Sequence, residues 1–301
     1  MKVLELYSGI GGMHYALRES GVAAEVVAAI DINPVANAVY HHNFPETILI
    51  NRNIESLNVQ ELNKLGLNAI LMSPPCQPFT RLGLKKDALD NRACSLLHIL
   101  NLIPELKSLR YILLENVKGF EVSQMRDKLL LSQSKHSMLA EKSGKINTKS
   151  GRMCYTLDNI LENVEESKYL LPSKLLQKRA WVLDIRTSEN NGSCCFTKGY
   201  GHYAEGTGSV YCPFADETIK FKYSEAGNQE NNSDKQVQLL SDLKLRFFSP
   251  KEVCRLMCFP EDFDFPKHIT DRQKYRLLGN SINVYVISRL ILLLHTENEN
   301  I

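Results

Sequence analysis

The chain has no C-x-x-C pair, no apolar run of membrane length and almost no net charge, and each absence removes a class of protein. Eight cysteines are scattered over 301 residues, with Cys194 and Cys195 adjacent and Cys254 and Cys258 four apart. That spacing does not suit a zinc cluster, so no metal site is expected. The run Leu290 to Leu294 is far short of the ~20 apolar residues that a membrane helix needs, so no membrane partner is expected. The amino terminus enters a strand almost at once and shows no secretory pattern. Thiols in such a chain are expected to stay reduced, in the cytoplasm, with the nucleus as a second location. A formal net charge of +2 does not announce a nucleic-acid partner, so any such claim rests on local features. Hydrophobic content of 44% and charged content of 23% describe an ordinary globular chain.

What is present is an alternation of strands and helices. Val3 to Tyr7, Glu25 to Ile30, Thr47 to Ile50, Ala69 to Met72 and Tyr111 to Leu114 read as strands. Met13 to Ser20, Pro34 to Asn43, Val59 to Leu65 and Cys94 to Leu106 read as helices between them. This order predicts an α/β fold with a doubly wound, mostly parallel Rossmann-like sheet.

Three stretches follow strand ends, where ligands bind in such sheets. Ser73-Pro74-Pro75-Cys76-Gln77-Pro78-Phe79 comes directly after the fourth strand. Adjacent prolines stop that strand and put the Cys76 thiol on a stiff loop, although free cysteine is as often an inert packing residue. Ser8-Gly9-Ile10-Gly11-Gly12 follows the first strand, and glycines let backbone approach a ligand at a helix head. Asp31 stands 20 residues after Gly11, a spacing that suits a carboxylate on ribose hydroxyls. His14 occupies the place of the third glycine of the dinucleotide fingerprint, so a nucleoside without pyrophosphate, such as S-adenosyl-L-methionine, suits the turn better than NAD. The plain reading is a tight turn with a helix-capping Asp. Glu115-Asn116-Val117 follows the fifth strand; by itself Glu115 reads as a solvated strand end or helix cap.

Taken together, Tyr7-Ser8-Gly9-Ile10-Gly11-Gly12, Pro75-Cys76-Gln77, Glu115-Asn116-Val117 and Gly279-Asn280-Ser281 resemble the motifs of the cytosine-5 methyltransferases. Pro78-Phe79-Thr80-Arg81 and Cys195-Phe196-Thr197-Lys198-Gly199-Tyr200-Gly201 resemble the branch that methylates aspartate tRNA beside the anticodon. The resemblance implies Cys76 as nucleophile at cytosine C6 and Glu115 as the partner of N3. It implies an S-adenosylmethionine pocket built from Tyr7, Ser8, Gly9, Ile10, Gly11, Gly12, Asp31, Ile32, Asn53, Ile54, Ser73, Pro75, Asn280, Ser281 and Val284. Asn53 stands where the family commonly has aspartate. Substrate contacts are implied for Gln77, Arg81, Asn116, Cys195, Thr197, Lys198 and Gly199, with tRNA as partner and DNA as a weaker alternative.

One departure weighs against these matches. The family carries an Arg-x-Arg motif on a strand after Glu-Asn-Val, and no such pair exists in that interval here. Residues 132 to 151 hold Lys135, Lys142, Lys145 and Lys149 with almost no apolar period, which predicts a flexible loop in place of two strands. The expected organisation is a catalytic domain of residues 1–131 and 249–301, a loop at 132–167, and a target-recognition region at 168–248. Tyr169 to Gly208 is expected to be strand-like, including a strand from Ala180 to Ile185, and Asn228 to Lys235 to be a polar surface loop. A form without the arginine clamp that binds RNA or cofactor but transfers methyl weakly or not at all stays open beside an active enzyme.

Overall fold

The computed structural model describes residues 1–75, 94–132, 155–229 and 233–299. The chain forms two compact units. The first takes Met1–Ile146, Asp262–Pro266 and Ile282–Ile301, and the second takes Asn147–Glu261 and Lys267–Ser281. The second unit therefore takes in residues 249–261 and 267–281 as well as the stretch read from sequence as target recognition.

In the first unit, β1 (Lys2–Leu6), β2 (Glu25–Asp31), β3 (Ile48–Asn51), β4 (Ala69–Met72) and β5 (Tyr111–Leu114) form a parallel sheet in the order β3-β2-β1-β4-β5. All four residues of β4 are buried, as a strand covered on both faces requires. Helices α1 (Gly12–Ser20), α2 (Pro34–Asn43), α3 (Val59–Lys64), α4 (Cys94–Leu102) and α5 (Gln124–Ser132) complete the alternation. Asn33 caps α2 by accepting from Val35 and Ala36 amides, and Asn58 closes a capping box with Glu61 on α3. Leu4, Leu6, Ile30, Ile70 and Met72 pack against Leu96, Ile99 and Met125 to make the core.

Among the described residues the sheet ends at β5, with no sixth or seventh strand beyond it. Residues 133–154, the greater part of the predicted flexible loop, lie outside the described residues. The remainder of that segment is built into the second unit. Leu157 is buried, its amide donates to the Asn190 carbonyl at 2.7 Å, and Arg255 donates to the Ile160 carbonyl at 3.1 Å.

The second unit is mostly helical and turn-rich: α6 (Glu166–Tyr169), α7 (Ser173–Arg179), α8 (Asp216–Gly227), α9 (Ser233–Ser241), α10 (Pro250–Leu256) and α11 (Asp271–Leu278) surround a small sheet. That sheet is β6 (Ile185–Arg186), β7 (Val210–Tyr211) and β8 (Arg246–Phe247). The expected strand from Ala180 to Ile185 is instead a 3-10 turn over Ala180–Val182 and only two strand residues. Tyr223 on α8 donates its hydroxyl to the Ala180 carbonyl at 3.0 Å and holds that turn closed. The loop expected from Asn228 to Lys235 is shorter than that, since α9 begins at Ser233. Ser249 caps α10 with Pro250 in its first turn, and the Glu252 carboxylate grips Arg246 in a fully buried bidentate pair. In the first unit a last helix, α12 (Val284–Glu299), packs on α1, with Val284 and Ile287 buried.

Candidate active site at the carboxyl edge of the sheet

The β1–α1 turn is built by sterics. Tyr7, Gly9 and Gly11 all take positive φ, 55°, 54° and 85°. A Cβ on Gly11 would lie 2.5 Å from the Phe44 ring, so packing alone demands glycine there. On Gly9 a Cβ would meet nothing nearer than the Tyr7 carbonyl oxygen at 3.9 Å, which leaves the turn open to an approaching group. The Gly9 amide donates to Asp31 Oδ2 at 2.9 Å, and the Asn33 amide donates to Asp31 Oδ1 at 2.8 Å. Asp31 thus first holds the turn, with further lone pairs on each oxygen for a ligand hydroxyl. Ser8 Oγ and Asn37 Oδ1 are buried and have no hydrogen-bond partner. Ile32, next to Asp31, is 65% exposed. Orphaned polar atoms beside an open glycine turn, a carboxylate and a bare apolar side chain suit a nucleoside group.

Asn53 lies just past the exposed end of β3, its side-chain oxygen accepting from the Glu55 amide at 3.1 Å, and Ile54 beside it is buried. Ser73, Pro74 and Pro75 leave β4, and Glu115 leaves β5 with its amide donating to the Met72 carbonyl at 3.0 Å. β4 pairs with both β1 and β5, so Ser8, Ser73 and Glu115 share one sheet edge. Glu115 is half-buried, and that burial raises its carboxyl pKa above the ordinary value. Asn116 donates Nδ2 to the Pro74 carbonyl at 3.0 Å and accepts the Val117 amide at 2.9 Å, which ties the two loops together. Cys76, Gln77 and Arg81 lie outside the described residues.

Beneath the turn lies a polar cluster that pattern reading passed over. Glu5 is fully buried in β1, with the Tyr40 hydroxyl 2.9 Å from Oε2 and the His14 amide donating to Oε1 at 3.3 Å. The same Tyr40 hydroxyl sits 2.9 Å from His14 Nδ1, and the His14 ring stacks on Phe44 at 3.8 Å. Burial pushes the Glu5 carboxyl up to about 8 and pulls His14 down to about 4. A carboxylate in the middle of an otherwise apolar strand was the available signal.

In the second unit, two sequence motifs meet. Gly279, Asn280 and Ser281 form the turn that closes α11, and Gly279 presses on the backbone of Thr197 and Lys198. The stretch from Cys195 to Thr197 is not a strand. The Thr197 amide donates to the Thr207 carbonyl at 2.9 Å, and Gly199 follows in a turn with its amide 3.4 Å from Thr197 Oγ1. Cys195 and Lys198 are exposed. Tyr200 anchors the loop: its hydroxyl donates to the Ser209 carbonyl at 2.6 Å and accepts the Phe248 amide at 2.8 Å.

The sequence profile of C-5 cytosine-specific DNA methylases matches residues 1–131 and 120–294. A tRNA (cytosine(38)-C(5))-methyltransferase of Spodoptera frugiperda is 43% identical, covering 97% of this chain and 98% of its own. That alignment runs over 328 positions, more than the 301 residues here, so the relative has segments that this chain lacks. A DNA (cytosine-5)-methyltransferase of Dictyostelium discoideum is 37% identical over 99% of this chain and 95% of its own. The crystal structure of a Spodoptera frugiperda DNMT2 mutant superposes with a TM-score of 0.87 at 42% identity, over 98% of this chain and 99% of that one.

Proposed function

This chain belongs to the C-5 cytosine-specific DNA methylase family, and on that premise we propose that it methylates C5 of a cytosine in the anticodon loop of a tRNA, with aspartate tRNA the first candidate. The observation that carries the reading is one sheet edge holding the open glycine turn, Asp31, the Ser73–Pro75 loop and a half-buried Glu115 of raised pKa. The tRNA substrate rests on the relatives named for it, among them one matched over 98% of its length.

S-adenosylmethionine, when bound, supplies the methyl group as a sulfonium. Ser8, Gly9, Asp31, Ile32, Asn53, Ile54 and Val284, all of the first unit, would hold it. Cys76, one residue beyond Pro75, adds as thiolate to cytosine C6, and the C5 carbon so activated takes the methyl group. Glu115 keeps a proton at N3 and draws off the charge that the addition creates. Loss of the C5 proton and elimination of the thiol then release methylcytosine and the free enzyme. The base must be turned out of its stack to reach this edge.

The test is transfer of labelled methyl to an aspartate tRNA transcript, to the same transcript with its target cytosine replaced by uracil, and to duplex DNA. Label on the first alone supports the reading. Label on DNA alone replaces tRNA by DNA as substrate.

A second reading is favoured by the break of the profile match into two parts that overlap at residues 120–131, just before the interval where the Arg-x-Arg segment is due. Without those two arginines, turnover falls well below that of a chain with the segment restored, while cofactor binding persists. Equal rates for the two chains would dispose of it.

A further inference from the structure

The one tryptophan of this chain is not used as core. Trp181 sits in the 3-10 turn after α7, and its side chain is 53% exposed. It is nevertheless braced. The Tyr223 ring meets it edge-on at 5.2 Å and 87°, and Gly227 lies close to its Cη2. The Tyr223 hydroxyl bonded to the Ala180 carbonyl fixes the turn that presents it. An indole held on one side and bare on the other offers a rigid stacking surface.

Charge near it is mixed, but the helix that leads into it is basic. Helix α7 carries Lys174, Lys178 and Arg179 and no carboxylate. Arg179 is spent on Glu205, whereas Lys174 and Lys178 make no ion pair among the described residues. Lys178 stands three residues before Trp181. On α8, Lys220 lies one turn before Tyr223, on the same helical face, and it too is exposed without an ion pair among the described residues. Val182, 51% exposed, widens the apolar surface.

We propose that Trp181, flanked by Lys178 and Lys220, is a stacking platform for an unpaired nucleotide of the bound RNA. The proposal rests on the RNA reading above and adds a contact to it on the second unit. Every base has a π-face, so such a platform takes single-stranded RNA with little sequence preference, while the lysines meet the flanking phosphates.

Because Trp181 is the chain's sole tryptophan, its emission reports on this site directly. Titration of the full chain with aspartate tRNA and with a ten-residue oligouridylate is expected to quench that emission saturably. Binding of end-labelled tRNA, followed by anisotropy, should weaken about 5- to 100-fold for Trp181→Ala and recover most of that loss in Trp181→Phe. Lys178→Glu with Lys220→Glu should weaken binding and flatten its salt dependence with the emission maximum of the free protein unchanged. If labelled tRNA binds the parent chain with no change in Trp emission, and Trp181→Ala binds as tightly, the platform is wrong and the proposed reaction is untouched. If oligouridylate quenches the emission but no tRNA is methylated, the platform holds and the proposed reaction falls. A change in sedimentation on Trp181→Ala with RNA affinity unaltered would assign the surface to self-association and overturn the proposal.

Discussion

Gly279 lies so close to Thr197 that a Cβ would stand 2.1 Å from the Thr197 carbonyl carbon and 2.3 Å from the Lys198 nitrogen. The contact joins the turn after α11 to the loop that begins at Cys195, two stretches far apart in the chain. The Gly279 backbone is ordinary, with φ −67°, so closeness and not conformation excludes a side chain.

Gly279→Ala therefore has to displace backbone rather than a side chain, which costs about 1–3 kcal/mol or more. A clear drop in the thermal unfolding midpoint is expected. Gly192→Ala, where nothing lies within 4 Å and φ is not positive, is the control and should unfold with the parent.

Asp31→Ala removes the acceptor of both the Gly9 and the Asn33 amides. The glycine turn loses its tether, so stability and S-adenosylmethionine affinity should fall together, the latter by roughly 1–3 kcal/mol. Calorimetry with unchanged affinity would place the ribose contact elsewhere.

Glu115→Gln keeps the shape of the side chain and removes its acid. Methyl transfer should drop by about 10²-fold or more, as for loss of a positioned general acid. Burial raises the Glu115 pKa, so the protonated form lasts to higher pH than for an exposed glutamate. The parent rate should decline on the alkaline side of that raised pKa, and the variant should lack the decline.

Glu5 makes stability depend on pH. Its carboxyl titrates at about 8 when folded against 4.5 as an ordinary glutamate, so the folded state binds the extra proton. The stabilisation is complete below pH 4.5 and is lost as pH rises through about 8. His14 runs the other way: held neutral with a pKa near 4, it costs stability as pH falls below 6.5. In Glu5→Gln, which can still meet Tyr40 and the His14 amide, unfolding midpoints should stop falling between about pH 6.5 and 8. A persisting decline would assign it to other groups.

Cys76→Ala should abolish methyl transfer and leave cofactor binding nearly intact, since the thiol is proposed to touch the base alone. Transfer near the parent rate would refute Cys76 as nucleophile.

Local pattern determined the first unit. Short apolar strands and a Pro at the head of α2 state their conformations without help from distant residues, and all five strands lie where the pattern puts them. Hence the sheet edge, and the residues on it, are legible in the amino-acid order alone. In the second unit the capped start of α10 at Ser249 is legible in that way, and the turns and loops are not. The apolar stretch from Ala180 is a turn because Tyr223, 43 residues away, binds the Ala180 carbonyl, and the Cys195 loop takes its shape from Thr207 and Gly279. Buried Glu5 makes sense only beside Tyr40 and the His14 amide, and the part of Asp31 in holding the turn shows only beside the Gly9 amide. Propensity and periodicity act over a few residues, whereas a buried polar atom or a close backbone contact is satisfied only by whatever the fold brings beside it.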